Sequence, residues 1–317
     1  MEAATHPPSH VDVVIPLHNA AAYIEEAVRS VLGQTVLPRT LTVVDDGSTD
    51  NGAERMRALI NENLSAVRIQ LIQQPNQGPN AARNTGIANG TAPYVALLDA
   101  DDVWEPMKLE HQLACMERPA AEPPALVYCA CHVVDEAGKP RNDVVPDPPR
   151  LRGHVFSELL FSNRVSGSAS GVLLRRAVLE RTGPFDEELR GSEDWDMWLR
   201  IAQYHALDFV DRDLVAIRFH DRNAQRDVME MLWNMLRFYM KWFPFAKKNK
   251  VVCREWGHLI AEFTRRSVDP DAALALVNAT LSREQRQYFF ARTLGSLRGY
   301  LLLKRISAMR RKSQQPR

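Results

Sequence analysis

Apolar and polar positions fall into two alternating rhythms over the first 120 residues. Residues 11–17, "VDVVIPL", form a short Val-rich run that predicts a buried strand. After it Tyr23, Ile24, Ala27, Val28, Val31 and Leu32 recur at helical spacing, and Asn19 stands where it can cap that helix. "LTVVDDGSTD" repeats the scheme, with Ala53, Met56, Leu59 and Ile60 on the following helix. "VRIQLIQQ" predicts a third strand, "GPNAARNTGIANG" a loop entering a short helix, and "YVALLDADD" a fourth strand, after which Pro106 opens another helix. Strands that alternate with helices predict an α/β fold with a mostly parallel sheet, open at the carboxyl ends of its strands.

Beyond residue 120 the rhythm loosens. "ERPAAEPPA" and "RNDVVPDPPRLRG" are Pro-rich connections, the second predicted to lie over the site. "SGSASGVLLRR" predicts a strand, and "GSEDWDMWLRIAQY" an acidic turn into a helix with Trp195, Trp198, Leu199 and Ala202 on one face. From Arg226 onward the pattern is helical. Residues 228–243 form a densely apolar amphipathic segment that should end near Pro244. The division predicted is a flexible N-terminus over 1–10, an α/β domain over 11–225 and a helical extension over 226–317 with a basic tail.

Charge sharpens the picture. The formal net charge is +1, yet no acidic residue follows Glu284 while nine basic ones do. The 40 basic residues less those nine leave 31 against 39 acidic ones in residues 1–284, a net of −8. A mildly acidic body argues against a nucleic-acid binder. Residues 294–312 combine apolar and basic positions at roughly helical spacing. Such a helix fits peripheral contact with an anionic membrane as well as packing on the body with a solvated end. The start of the chain lacks the features of a secretory signal, and no uncharged run reaches membrane-spanning length, so a cytoplasmic protein is expected. The four cysteines lack zinc-ligand spacing and read as reduced thiols.

The candidate chemistry lies at the ends of the predicted strands. Asn19, the Asp45-Asp46 pair and the cluster Asp99, Asp101 and Asp102 each follow a strand directly, where open α/β sheets bind ligands. Asp-X-Asp presents hard oxygen donors that suit Mg²⁺ or Mn²⁺, and a solvated acidic turn is the plainer alternative. Asp46 can accept hydrogen bonds from a base or ribose, or cap a helix together with Ser48 and Thr49. Arg83 can fork onto phosphates, or stand as an exposed helix arginine. Glu193-Asp194 opens a helix, where acids are stabilised by its dipole, but a carboxylate beside Trp195 and Trp198 also suits a general base. His220 follows a strand and can meet a phosphate or a metal, or remain a surface histidine.

In this order the segments "VVIPLHNAAAYIEEAVRSVLGQT", "LTVVDDGSTD", "NQGPNAARNTGIANGTAPYVALLDADDVWEPMKL", "GPFDEELRGSEDWDMWLRI" and "IRFHDRNAQ" resemble the family 2 glycosyltransferases with a GT-A fold, over most of residues 11–225. The resemblance implies a Rossmann-like sheet and inverting transfer of a sugar from a nucleotide diphosphate donor to an acceptor hydroxyl on a glycan or lipid-linked glycan. It implies that Pro16 and Asn19 lie along the nucleoside, that Asp46 binds the base and that Arg83 sits beside the donor. Asp99 lies near the ribose and Asp101 is the direct ligand of Mn²⁺ or Mg²⁺, the two forming the metal motif. Asp194 is the implied base, with Glu193 beside it, and His220 contacts the diphosphate. The sequence departs at His18, where many members carry Tyr, and only partly matches after His220. A rival reading is a catalytically inactive nucleotide-sugar-binding regulatory protein, against which two acids at 193–194 argue. A nucleotidyltransferase would show a Gly-rich basic loop where "IPLHNAAAY" stands. A phosphohydrolase leaves Asp46, Arg83 and Asp194 unexplained together.

Overall fold

A computed structural model describes residues 10–62, 66–220 and 228–290. The predicted strand over 11–17 forms as β1 (Val11–Leu17), buried along nearly its whole length. It is followed by α1 (Ile24–Leu32), β2 (Thr40–Asp46), α2 (Gly52–Asn61), β3 (Arg68–Gln74), α3 (Pro79–Asn89) and β4 (Tyr94–Leu97). These four strands are parallel, in the order β3-β2-β1-β4. Val, Ile and Leu side chains from both faces are buried, as expected of strands covered by helices on each side.

The second half of the sheet is mixed. β5 (Val103–Trp104), α4 (Lys108–Met116), β6 (Leu126–Val134), α5 (Phe156–Phe161), a 3₁₀ turn (Ala169–Gly171), β7 (Val172–Arg175), α6 (Arg176–Thr182), α7 (Glu193–Ala202) and β8 (Leu207–Arg218) follow. The full order is β3-β2-β1-β4-β7-β6-β8-β5, with β7 antiparallel to both β4 and β6 and β5 antiparallel to β8, while β6 and β8 run parallel. Register shifts near Cys129, Ala130 and Cys131 let β8 bend as it passes β6. All four cysteines are free thiols. Burial pushes the Cys129 thiol up to about 12, which keeps it protonated.

Two local features set the site. Backbone polarity alternates along a strand, and the Val14 carbonyl accepts from Leu98, so the missing N–H of Pro16 faces the same side. Pro16 therefore has nothing to donate to Leu98, and the ladder ends just before Asp99, which releases the acidic turn from the sheet. The second feature is Gly86 in α3: a Cβ there would collide with Cγ1 of Val14. Close approach of α3 to β1 is what brings Arg83 beneath the ends of the strands. We expect Gly86→Ala to destabilise the protein by about 1–3 kcal/mol, as overpacked sites do, read as a lowered urea midpoint at unchanged slope.

One expectation is corrected. Asn19 does not cap α1, whose N-cap Tyr23 makes no side-chain capping bond. Asn19 instead adopts a positive φ of 50° and turns its amide oxygen to the Thr49 N–H and hydroxyl, tying the loop after β1 to the loop after β2. As expected, the helix that begins at Val228 ends near Pro244: α8 (Val228–Ala246) carries that residue in its last turn and stops two residues later.

The chain falls into two compact units, the first holding the sheet and its helices through Ala224. The second comprises 160–162, 189–192 and the chain from Gln225. Its described part consists of α8, α9 (Lys250–Arg266), α10 (Pro270–Thr280) and α11 (Arg283–Phe289). Tyr239 stacks on Trp256 at 4.4 Å between centroids, with Phe238 and Phe289 packed around the pair. Among the described residues no helix is long and apolar enough to cross a membrane. The basic stretch 294–312 and the N-terminal residues 1–9 lie outside the described residues.

Candidate active site

The loops after β1, β2 and β3 are fastened to one another at their carboxyl ends. Asp46, buried, accepts the backbone N–H groups of Gln77 and Gly78 at 2.9 and 2.7 Å and the Gln74 side chain at 2.8 Å. Its carboxylate thus braces the entry to α3 and does not cap α2, whose N-cap is Asn51. Asp45 accepts from the Ser48 N–H and from Gln73. Those hydrogen bonds outweigh its burial and hold its carboxyl below the usual range. His18 donates from Nδ1 to the Asp46 carbonyl at 2.9 Å, so the residue that departs from the family pattern acts here as a loop fastener.

Arg83 is buried and is not an exposed helix arginine. Its Nη2 donates to Asp99 at 2.7 Å, and its Nη1 to Glu193 at 3.2 Å and to Asn80 at 3.1 Å. One guanidinium therefore joins the end of β4 to the start of α7, and its contact with Glu193 spans 110 residues of sequence. Its Nε has no partner among the described residues. The planar fork is what permits two carboxylates to be served at once.

The three aspartates after β4 part company. Asp99 goes to Arg83. Asp101 turns its Oδ2 to His220 Nε2 at 3.0 Å, and the imidazole stacks on Tyr23 with centroids 5.3 Å apart. Asp102 turns inward, accepting from Ser170 Oγ at 2.6 Å and the Arg218 N–H at 2.9 Å. Burial, and then the charges of Asp101 and Asp99, push its carboxyl well above the usual range. Mutual repulsion is thus relieved by sending one acid to a cation, one to an imidazole and one into the core.

Glu193 and Asp194 occupy the first turn of α7. Asp194 Oδ1 accepts from the Trp195 N–H at 2.6 Å, and Oδ2 takes longer contacts from Ser168 Oγ at 3.3 Å and Asn163 Nδ2 at 3.4 Å. Desolvation first, then the neighbouring Glu193 charge, pushes the Asp194 carboxyl up to about 6. A carboxylate with that affinity, half-buried and reachable from solvent, is suited to take a proton near neutral pH. Asn80, Asn163, Ser168, Ser170 and Arg218 were not among the residues singled out from sequence. Single polar side chains in helices and Ser/Gly-rich turns carry no signal of the long-range partner they meet.

Asp101, Asp99 and His220 form the donor set closest to the requirements of a divalent ion. Oxygen donors with one imidazole fit Mn²⁺ or Mg²⁺, which take few protein ligands and leave positions for water and phosphate. The 3.0 Å Asp101–His220 contact shows that two such donors already converge. Among the described residues no group of three or more His, Cys, Asp or Glu side chains stands in metal-holding geometry. Separately, residues 140–148 with β6 and β8 line a cleft of about 410 Å³ that includes His132, Asn142, Asp211 and Asp213.

The mixed sheet, with polar loops, an acidic turn and an acid-led helix at its strand ends, has the fold of the GT-A type glycosyltransferases. Comparison with known proteins agrees. Residues 12–183 match the family model "Glycosyl transferase family 2", and the chain belongs to that family. It is 28% identical over 218 residues to an uncharacterized glycosyltransferase of Rickettsia conorii, covering 69% of this chain and 35% of that one. It is 29% identical over 195 residues to a putative teichuronic acid biosynthesis glycosyltransferase, TuaG, of Bacillus subtilis, covering 60% and 71%. The chain spans about a third of the length of the first curated relatives it matches. Among solved structures it resembles S. aureus TarS 1–349, with a TM-score of 0.62 at 17% identity over 97% of this chain and 93% of that one. It also resembles the mannosyltransferase PcManGT of Pyrobaculum calidifontis, with a TM-score of 0.59 at 20% identity over 89% and 78%.

Proposed function

We propose that this glycosyltransferase moves a sugar from a nucleotide diphosphate donor to a hydroxyl of a glycan or lipid-linked glycan, with inversion, using Asp194 as general base. The observation that carries this reading is the Asp99–Arg83–Glu193 bridge, which joins the acidic turn at the sheet to the helix that bears Asp194. It puts a cation-attracting pair and a carboxylate of raised proton affinity at two ends of one rigid link.

Asp46 and the loops it braces offer a floor for the nucleoside, with Pro16 and Asn19 beside it. Asp101, with Asp99 and the His220 imidazole, would hold a divalent ion. When bound, such an ion neutralises the charge that develops on the departing nucleoside diphosphate. Asp194 accepts the proton of the acceptor hydroxyl as that oxygen attacks from the face opposite the leaving group. Glu193 pairs with Arg83, and its charge beside Asp194 keeps that carboxyl basic. Solved TarS carries UDP-GlcNAc and solved PcManGT carries GDP-Man with Mn²⁺, which supports a donor of this class and an ion of this kind. The name of TuaG supports a surface-polysaccharide acceptor.

The test is release of nucleoside diphosphate from a panel of UDP- and GDP-sugars in the presence and absence of Mn²⁺. Metal-dependent release from one donor, lost in Asp194→Asn, is expected. Equal release by the Asp194→Asn protein would remove the base from the mechanism.

A further inference from the structure

The turn over 166–171 bonds to both halves of the site. Ser170 Oγ takes the Asp99 N–H at 3.0 Å and donates to Asp102 at 2.6 Å, so it fixes the acidic turn. Two residues earlier Ser168 Oγ donates to Asp194 Oδ2 at 3.3 Å. The turn itself has little freedom. Gly171 donates its N–H to the Gly167 carbonyl at 2.8 Å, and Ser166 Oγ donates to the Cys129 carbonyl at 2.7 Å. A Cβ on Gly171 would sit 2.6 Å from the Ser166 carbonyl oxygen, and one on Gly167 2.9 Å from the Gly171 Cα.

Ser168 is exposed yet held at φ 49° and ψ −146°, and Asn19 is the only other non-glycine residue at positive φ among the described residues. Backbone of that kind persists only where its surroundings impose it, and it clusters at functional sites. Any side chain at this position meets the same strain, which glycine would avoid. A serine there therefore keeps a strained backbone in exchange for a hydroxyl aimed at the carboxylate.

We propose that Ser168 is a positioning residue for Asp194. Its hydroxyl, with the Asn163 amide as second donor at 3.4 Å, orients Oδ2 toward the acceptor, and the 166–171 turn fixes the base relative to the acidic turn through Ser170. This rests on Asp194 being the base. Both contacts are long and solvent-facing, so an acceptor hydroxyl can enter beside them without displacing a tight hydrogen bond.

The charged groups facing Asp194 are Glu193, Arg83 and Asp99. None changes in Ser168 variants, so any movement of the Asp194 titration reports the hydroxyl. The experiment is ¹³C NMR titration of aspartate carboxyls in the full chain, with the Asp194 signal assigned by its loss in Asp194→Asn. A donor to the ionised form lowers a carboxyl pKa, so Ser168→Ala and Ser168→Gly should each raise the Asp194 midpoint, by about half a unit to one unit. Ser168→Gly should also raise the melting temperature by relieving the strained φ. On a donor that is turned over, kcat should fall about threefold to tenfold with the donor KM unchanged, because the carboxylate is no longer held in its orientation toward the acceptor. A midpoint unmoved in both variants would overturn the proposal. So would a midpoint raised in Ser168→Ala alone, because that assigns the effect to the backbone. Failure of the base itself reads out differently, as turnover retained in Asp194→Asn.

Discussion

Asp194→Asn should cut sugar transfer by about 10³-fold or more, as expected when a general base is removed from a rate-limiting proton transfer, and should stabilise the fold at the same time. Burial and the adjacent Glu193 disfavour the charged form of Asp194, whose proton affinity is raised to about 6 in the folded chain. The unfolded chain releases that proton near pH 4, so between about pH 4 and 6 it binds fewer protons than the native state and stability falls as pH rises. Above pH 6 the whole cost is present, and a neutral amide removes it. After allowance for partial solvent exposure the gain is about 1 kcal/mol, or a melting temperature higher by about 2–4 °C at pH 7.5. At pH 4.5 the gain should be nearly gone. Differential scanning calorimetry at the two pH values, beside an activity assay, checks both halves. The wild-type activity should itself fall as pH drops through about 6, because the base is then protonated.

Arg83→Ala is the second large effect. It leaves Asp99 and Glu193, with side chains 26% and 13% exposed, as two unpaired carboxylates that have lost a shared cation. Breaking one partner out of a buried ion pair costs about 3–5 kcal/mol, and here two pairs go together. Urea denaturation should show a lowered midpoint, and activity should be lost even where the protein remains folded. Arg83→Lys should recover only part of either property. An ammonium is a compact charge without the planar fork that reaches Asp99 from one nitrogen and Glu193 from the other. If Arg83→Lys behaved like wild type in both assays, the bridge would be a bystander.

Much of this was legible in the chain before any coordinates. The parallel half of the sheet follows from Val-rich runs at 11–17, 41–46 and 94–97 alternating with helical periods. Residues Asp46, Asp99, Asp101 and Asp194 stand out because each places a carboxylate at a strand or helix end, and Arg83 because its planar fork suits phosphates. Sequence could not show that β7 would insert antiparallel between β4 and β6, since its four residues pair with strands that begin roughly 80 and 50 positions earlier. Nor could it say which of three aspartates faces inward. Asp102 is drawn into the core by Ser170 and the Arg218 backbone, partners 68 and 116 residues away. Asn19 misled for a similar reason: its spacing suits a cap, but a stronger set of partners on the Ser48–Thr49 loop lies within reach in the fold. Ser168 has no sequence signature beyond a Ser/Gly-rich turn, and its strain is visible only in its dihedral angles.

The account stands on Asp101 holding a donor through a divalent ion at the end of β4. Thermal shift against UDP, GDP, CDP and ADP, with and without Mn²⁺, tests it most directly. Stabilisation by one nucleotide that requires Mn²⁺ and is abolished by Asp101→Ala, but kept in Asp194→Asn, is the predicted result. A shift that is the same without metal, or that survives Asp101→Ala, would contradict the metal assignment and the mechanism built on it.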